Sequence, residues 1–163
     1  MNAPMVLSPE SLARIDKAIA KYPADQRQSA VMAALTIAQS EKGWLSTEIM
    51  EFVGQYLGMP PIAVYEAASF YGMYNLHPVG RHKITICTNL PCALSGAVVA
   101  SDHLKTRLGI GFNETTPDGQ FTLKEGECLG ACGDAPVCLH NDKNMVSFMT
   151  PDKLDAWIEA LRK

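Results

Sequence analysis

The chain has 163 residues, of which 47% are hydrophobic and 19% are charged, and its formal net charge is −3. This composition is typical of a globular protein that can bury a core. The mild acidity argues against nucleic-acid binding, which calls for a basic surface. The longest stretch without a charged side chain, residues 84–101, contains polar residues, so we expect no direct membrane insertion. The N-terminus lacks the basic and apolar regions of a secretory signal, which predicts an intracellular protein.

The first half of the chain is predicted to form a bundle of four amphipathic helices. Apolar residues recur there every three to four positions, and residues that favour helix starts precede or open each segment: Ser8, Asp25, Ser46 and Pro60. Gly58 is expected to end the third helix, and the fourth runs to about Phe70. None of these helices presents obvious chemistry. We therefore expect residues 1–76 to be a helical bundle that serves as a docking region.

The second half changes from helical to strand-like periodicity near residue 77. Its elements follow the order β-α-β-β-β-α, which indicates an α/β domain over residues 77–163. The predicted strands lie at residues 83–86, 121–123, 136–140 and 145–148, and the predicted helices at residues 95–108 and from 151 onward. The whole chain is thus predicted to be α+β, with a helical bundle followed by an α/β domain.

Four of the five cysteines form two pairs in loops of this second domain. Cys87 and Cys92 follow the first strand, and Cys128 and Cys132 lie in a glycine-containing loop between two later strands. Reduced cysteines in an intracellular protein more often bind metal or carry out redox work than form disulfides. A [2Fe–2S] cluster needs two thiolates for each of its two irons, and two cysteine pairs can supply them.

Other roles for these cysteines stay open at this point. Structural zinc also takes four thiolates, although this spacing is not the one that zinc sites favour. Buried, unreactive cysteines are a second alternative, and Cys138, in an alternating strand, is most simply a core side chain. A thioredoxin-type dithiol site would require a Cys-x-x-Cys motif, which the sequence lacks.

The cysteine motifs resemble those of a known family. CTNLPC at residues 87–92, ECLGAC at 127–132 and the following Ala135-Pro136 are similar to the thioredoxin-like [2Fe–2S] ferredoxins. The likeness is closer to the member of this family that serves as a subunit of bacterial NADH–quinone oxidoreductase, respiratory complex I. It extends to PPIAVYEAASFY at residues 60–71. The resemblance implies a thioredoxin-like domain and four cluster ligands: Cys87, Cys92, Cys128 and Cys132. It assigns no role to Cys138.

The resemblance also implies partners and a location. In complex I this kind of subunit pairs with a second, flavin-bearing one, which binds NADH and FMN, and the [2Fe–2S] cluster lies close to the flavin. The sequence has no Gly-x-Gly-x-x-Gly motif, in agreement with NADH and FMN being held by the partner. The implied function is that of an electron carrier within a larger oxidoreductase. Its other partners are the remaining peripheral-arm subunits, and the complex attaches it to the cytoplasmic face of the membrane.

Two alternatives to this function remain. The first is the equivalent diaphorase subunit of a soluble NAD-linked hydrogenase or formate dehydrogenase. The second belongs to another class, a zinc-stabilised interaction module without a redox role.

The charge pattern around the cysteines predicts a low reduction potential. No Lys or Arg lies between Lys83 and Lys105 or between Lys124 and Lys143, and acidic residues flank the second cysteine pair. Because reduction adds a negative charge, we expect a midpoint of about −400 mV, the value of plant-type ferredoxins. A redox titration followed by EPR measures it. A midpoint above zero would contradict the prediction.

Overall fold

The computed structural model describes residues 6–163, and the chain divides into two compact units after Pro78. Within the described residues, helical segments build the first unit, whereas the second contains a five-stranded sheet and helices. The predicted α+β class, a helical part followed by an α/β part, is therefore confirmed. No helix within residues 6–163 is long and apolar enough to cross a membrane.

The first unit contains four helices: α1 (Pro9–Ile19), α2 (Val31–Lys42), α3 (Thr47–Leu57) and α4 (Pro61–Phe70). The hydroxyls of Ser8 and Ser46 accept hydrogen bonds from backbone N–H groups three residues further on, which fixes the starts of α1 and α3 as predicted. The predicted start of the second helix at Asp25 is wrong. A 3₁₀ segment (Ala24–Ala30) precedes α2, and the non-helical backbone of Gln26 interrupts it.

Apolar side chains from all four helices meet in one core. Its largest fully buried members in these helices and the adjoining loops are Leu7, Ile15, Leu35, Leu45 and Val53. The buried ring of Tyr74, just beyond α4, also belongs to this core, and its hydroxyl donates a hydrogen bond to the Met32 carbonyl at 2.8 Å. The chain that follows α4 is thereby attached to α2.

The second unit contains one mixed sheet with the strand order β2-β3-β1-β4-β5. The strands are β1 (His82–Cys87), β2 (Glu114–Thr115), β3 (Phe121–Gly126), β4 (Cys138–His140) and β5 (Asn144–Val146). β1 and β3 are parallel, and the other neighbours are antiparallel. β2 is absent from the predicted order because two residues are too few to show an alternating pattern.

Two longer helices pack against one face of this sheet: α6 (Val98–Leu108) and α7 (Pro151–Leu161). The shared core takes apolar side chains from three strands and both helices: Ile84, Ile86, Phe121, Leu123, Cys138, Leu104, Leu154 and Ile158. The predicted start of the first helix of the second unit, at residue 95, is wrong. Helical backbone begins with the short helix α5 (Leu90–Cys92) and a π-helical segment (Ala93–Ala97), which Gly96 interrupts with a φ of +95°.

We expect the core of the second unit to depend on Leu104. Its side chain is fully buried, so Leu104→Ala should lower the free energy of unfolding by about 2–5 kcal/mol. Urea denaturation followed by circular dichroism measures this change. Leu94→Ala is a matched control, because Leu94 is 82% exposed and its loss should change stability by no more than about 0.5 kcal/mol. Equal effects of the two substitutions would contradict the described packing.

Candidate iron–sulfur site

The parallel pairing of β1 with β3 brings the two cysteine loops to the same edge of the sheet. Cys87 is the last residue of β1 and lies opposite Gly126, the last residue of β3. The backbone N–H of Thr88 donates to the Gly126 carbonyl at 3.0 Å, so the pairing continues beyond the strands. Cys128 follows Gly126 by two residues. Both loops therefore begin side by side, as parallel strands require.

Gly126 allows this close approach because it has no side chain. A Cβ atom at this position would lie 2.9 Å from Cγ2 of Thr85 on β1, which is closer than carbon atoms can pack. A larger residue at this position would require the Thr85 side chain to move. The absence of a side chain at Gly126 thus lets the Thr85 methyl group lie against the end of β3.

A direct contact joins the loops. Cys87 Sγ lies 4.0 Å from the carbonyl oxygen of Glu127, the residue immediately before Cys128. The Thr88 hydroxyl also donates a hydrogen bond to the Glu125 carboxylate at 2.8 Å, which ties the loop after β1 to the end of β3. The structure thus places Cys87 next to the loop that carries the second cysteine pair.

Behind this contact lies a small apolar cluster. The side chains of Cys87, Cys92, Ala97 and Val137 are buried together. Leu129, Ala131 and Ala135 of the second cysteine loop pack against them. Because both loops contribute to one apolar layer, water is excluded from the inner side of the site.

Burial and neighbouring sulfurs control the protonation of Cys92. The pKa of its thiol is raised to about 11, first by burial, then by a hydrogen bond with Cys87 and by the charges of Cys87 and Cys132. These three sulfurs are therefore close enough to influence one another. Bringing such thiolates together requires a positive charge among them, which metal ions supply.

The second pair differs from the first in exposure, because Cys128 and Cys132 are exposed, whereas Cys87 and Cys92 are buried. Gly130, between the exposed pair, has a φ of +71°, a left-handed conformation that glycine adopts without steric cost. A short 3₁₀ turn (Cys132–Asp134) follows. The loop thereby carries its two thiols to the surface beside the buried pair.

Residues that the sequence did not single out support this loop. The Asp134 carbonyl accepts a hydrogen bond from the Phe148 N–H at 2.8 Å, and the Asp134 carboxylate accepts one from the Ser147 hydroxyl at 3.1 Å. Phe148 has a φ of +55° and is half exposed, both unusual for an aromatic residue. It lies outside β5, although the predicted strand included it. Phe148 is distinguished by its left-handed backbone conformation, for which the sequence contains no signal.

Cys138, the fifth cysteine, belongs to the core of the second unit. It is fully buried among apolar side chains of the sheet and helices, as its place in an alternating strand predicts. Burial first, and then the charges of Cys87 and Cys92, raise the pKa of its thiol to about 12. Cys138 is thus a core side chain that lies near the buried pair of cysteines.

The donor set fits a binuclear cluster in type and number. Four thiols lie on two loops that contact each other, one pair buried and one exposed. Within the described part of the chain, no three His, Cys, Asp or Glu side chains are grouped as ligands of a single metal ion. A binuclear cluster makes a different demand, since each iron takes only two protein sulfurs.

Comparison with known proteins gives a consistent result. The family model for the thioredoxin-like [2Fe–2S] ferredoxins matches residues 15–162. A subunit of the NADH-quinone oxidoreductase of Rhizobium meliloti is 45% identical over 148 residues, covering 91% of this chain and 86% of the relative. The mitochondrial NADH dehydrogenase [ubiquinone] flavoprotein 2 of Dictyostelium discoideum is 40% identical over 158 residues. That match covers 94% of this chain but only 64% of the relative's length.

A solved structure shares the fold. An NAD+-reducing [NiFe]-hydrogenase in the H2-reduced state matches with a TM-score of 0.72 at 23% identity, over 81% of this chain and 22% of the hydrogenase chain. At this identity the likeness concerns the fold alone. The predicted family resemblance, thioredoxin-like fold and [2Fe–2S] cofactor class are confirmed by these matches.

The difference in burial predicts a difference in thiol reactivity. In the cluster-free chain at pH 8, iodoacetamide should alkylate Cys128 and Cys132 much faster than Cys138, because Cys138 is buried and its pKa of about 12 keeps it protonated. Peptide mass spectrometry over a time course measures the rates. In urea all three should react alike. Equal rates for Cys138 and Cys128 in the folded chain would contradict the structure.

Proposed function

The chain belongs to the thioredoxin-like [2Fe–2S] ferredoxin family, and we propose that it is the electron-transfer subunit of an NADH–quinone oxidoreductase, binding one cluster through Cys87, Cys92, Cys128 and Cys132. One observation carries most weight for this ligand set. The loops that hold the two cysteine pairs meet at the contact of Cys87 Sγ with the Glu127 carbonyl. The 45% identity to the Rhizobium meliloti relative over most of both chains supports the wider assignment.

The residues of the chain have three tasks in this function. A bound [2Fe–2S] cluster supplies one-electron transfer without proton transfer or covalent catalysis. The four thiols hold it, and the apolar layer around Cys87 and Cys92 keeps water from one side. Gly126 leaves room for the Thr85 side chain where the loops begin, and Gly130 turns the second loop through its positive φ. The chain is therefore an electron carrier, and the complete catalyst requires partners.

We assign NADH and FMN to a partner, the flavin-bearing subunit of the same complex. Neither a dinucleotide motif nor another nucleotide-binding motif stands out in the sequence of this chain. Electron transfer to the cluster then requires that the partner's flavin lies close to the cysteine loops. Other peripheral-arm subunits complete the assembly, which holds this chain at the cytoplasmic face of the membrane.

A diaphorase subunit of a soluble NAD-linked hydrogenase is the second candidate. The fold likeness to an NAD+-reducing [NiFe]-hydrogenase favours it. Sequence identity supports the first candidate, because this chain is 45% identical to the Rhizobium meliloti relative and 23% identical to that hydrogenase. Purification of the tagged full chain from its native cells distinguishes the two candidates. The first predicts that a quinone-linked complex co-purifies with the chain, and the second predicts a soluble hydrogenase.

Cysteine substitutions test the ligand set. We expect the purified full chain to be red-brown, with about two irons and two acid-labile sulfides, and to give an EPR signal only after reduction. Cys87→Ala, Cys92→Ala, Cys128→Ala and Cys132→Ala should each lose most of the iron, because each removes one ligand. Iron and sulfide analysis with absorption spectra measures this.

Cys138→Ala is the matched control and should keep the cluster, because Cys138 lies in the core. Bleaching by Cys138→Ala alone, with the other four variants still coloured, would overturn the ligand set. A colourless wild-type chain loaded with zinc would overturn the electron-transfer function and support an interaction module.

A further inference from the structure

The segment that follows β5 has an unusual backbone conformation where it meets the second cysteine loop. Phe148 has a φ of +55°, in the left-handed region that bulky residues rarely adopt. Its ring is half exposed, so packing of the ring in the core does not explain this conformation. Strained backbone persists only where the surrounding contacts hold it, and it is concentrated at functional sites. The contacts of this segment therefore indicate what it holds in place.

Consecutive backbone N–H groups of the segment donate hydrogen bonds to the same loop. The Phe148 N–H donates to the Asp134 carbonyl, and the Met149 N–H donates to the Pro136 carbonyl, both at 2.8 Å. In an extended strand, successive residues face opposite sides, so the two N–H groups could not reach one loop together. The left-handed backbone of Phe148 turns both N–H groups toward the loop, as in other concave backbone turns that present successive donors.

A side chain reinforces these backbone contacts. The Ser147 hydroxyl donates a hydrogen bond to the Asp134 carboxylate at 3.1 Å, so Asp134 accepts hydrogen bonds from two neighbouring residues. Asp134 in turn donates its N–H to the Ala131 carbonyl at 3.0 Å, which closes the turn that contains Cys132. The contacts that fix Asp134 therefore also fix the turn around Cys132.

The segment is itself anchored in the second unit. Met149 is buried in the core between the sheet and the helices, and Val146 at the end of β5 packs against the same core. Lys153, in the first turn of α7, places Nζ 5.7 Å from the centre of the Phe148 ring, within the range of a cation–π contact. The segment is thus a fixed support against which an exposed loop can be held.

The second cysteine loop depends on such support because its cysteines are exposed. Cys128 and Cys132 lie at the surface, whereas the first pair is enclosed in an apolar cluster. Gly130 between them adds conformational freedom to the loop. Groups that orient metal ligands matter for binding, since their loss typically lowers metal affinity about 10- to 100-fold. The position of Cys132 is consequently sensitive to contacts from outside the loop.

We infer that Ser147 and Phe148 are positioning residues for the cluster ligand Cys132. The Ser147 hydroxyl and the Phe148 backbone N–H fix Asp134, and Asp134 fixes the turn that contains the ligand. The group required at position 148 is the backbone N–H in its left-handed conformation and not the aromatic ring. The inference rests on the proposed function, because it takes Cys132 to be a ligand of a bound cluster.

Substitutions at position 148 separate the backbone from the ring. Phe148→Pro removes the N–H and cannot adopt a positive φ, whereas Phe148→Gly keeps the N–H and the left-handed conformation and removes the ring. In the cluster-loaded full chain, Phe148→Pro should release iron to a chelator at least about tenfold faster than the wild type. Phe148→Gly should release iron at close to the wild-type rate. The decay of the cluster absorption measures the release.

Substitutions at position 147 test the side-chain contact. Ser147→Ala should release iron about fivefold faster, the effect of one lost hydrogen bond, and should shift the EPR g-values of the reduced cluster. Ser147→Thr keeps the hydroxyl and should restore both properties. Leu104→Ala is the control for general destabilisation, because it weakens the core of the second unit and should leave the g-values unchanged.

Hydrogen exchange in the cluster-free full chain measures the support without the cluster. Ser147→Ala and Phe148→Pro should speed amide exchange in residues 131–136, whereas Phe148→Gly should not. Mass spectrometry of the corresponding peptide measures the exchange, and circular dichroism shows whether each variant is folded. If Phe148→Pro does not fold, Ser147→Ala and its Thr control decide the test.

Wild-type iron release, g-values and hydrogen exchange in Ser147→Ala and Phe148→Pro would overturn the positioning role. Faster release with unchanged g-values, as expected for Leu104→Ala, would overturn it as well. So would a Phe148→Gly variant that releases iron as fast as Phe148→Pro, because the ring would then be the required group. A wild-type chain that takes up no cluster would instead refute the proposed function, and hydrogen exchange would still decide whether Ser147 and Phe148 hold the loop.

Discussion

The parallel pairing of β1 with β3 is the constraint on which the candidate site depends. It sets Cys87 opposite Gly126, and the two cysteine loops consequently leave the sheet at one edge. The Glu127 carbonyl then lies against Cys87 Sγ, and the apolar layer of the site closes behind both. The helices α6 and α7 cover one face of the same strands and fix their positions. The core of the second unit and the placement of its thiols therefore depend on the same strand pair.

Local chemistry made much of the element pattern predictable from the sequence. Capping serines fix the starts of α1 and α3, and Gly58 ends α3 with a φ of +72°. The predicted helix starts were wrong where no capping side chain hydrogen-bonds to the start of the helix. A non-helical Gln26 interrupts the 3₁₀ segment before α2, and the positive φ of Gly96 divides a helix that starts earlier than its apolar pattern suggests.

Contacts between residues far apart in the chain could not be predicted from sequence patterns. The ring nitrogens of His82 and His140 lie 3.1 Å apart across β1 and β4, although neither residue has a local pattern that indicates a partner. The exposure of Cys128 and Cys132 against the burial of Cys87 and Cys92 is likewise a tertiary property, since it depends on how distant segments pack around each pair. The exposed rings of Tyr65 and Phe70 belong to α4, an apolar helix whose sequence does not show which of its side chains face the core.

The exposed apolar side chains of α4 have a consequence for the chain on its own. Contact of Ile62 and Phe70 with water favours aggregation, because exposed apolar side chains associate with one another. Overproduction of the chain should therefore yield insoluble or degraded material. A few uncovered side chains thus limit how much of the chain stays in solution.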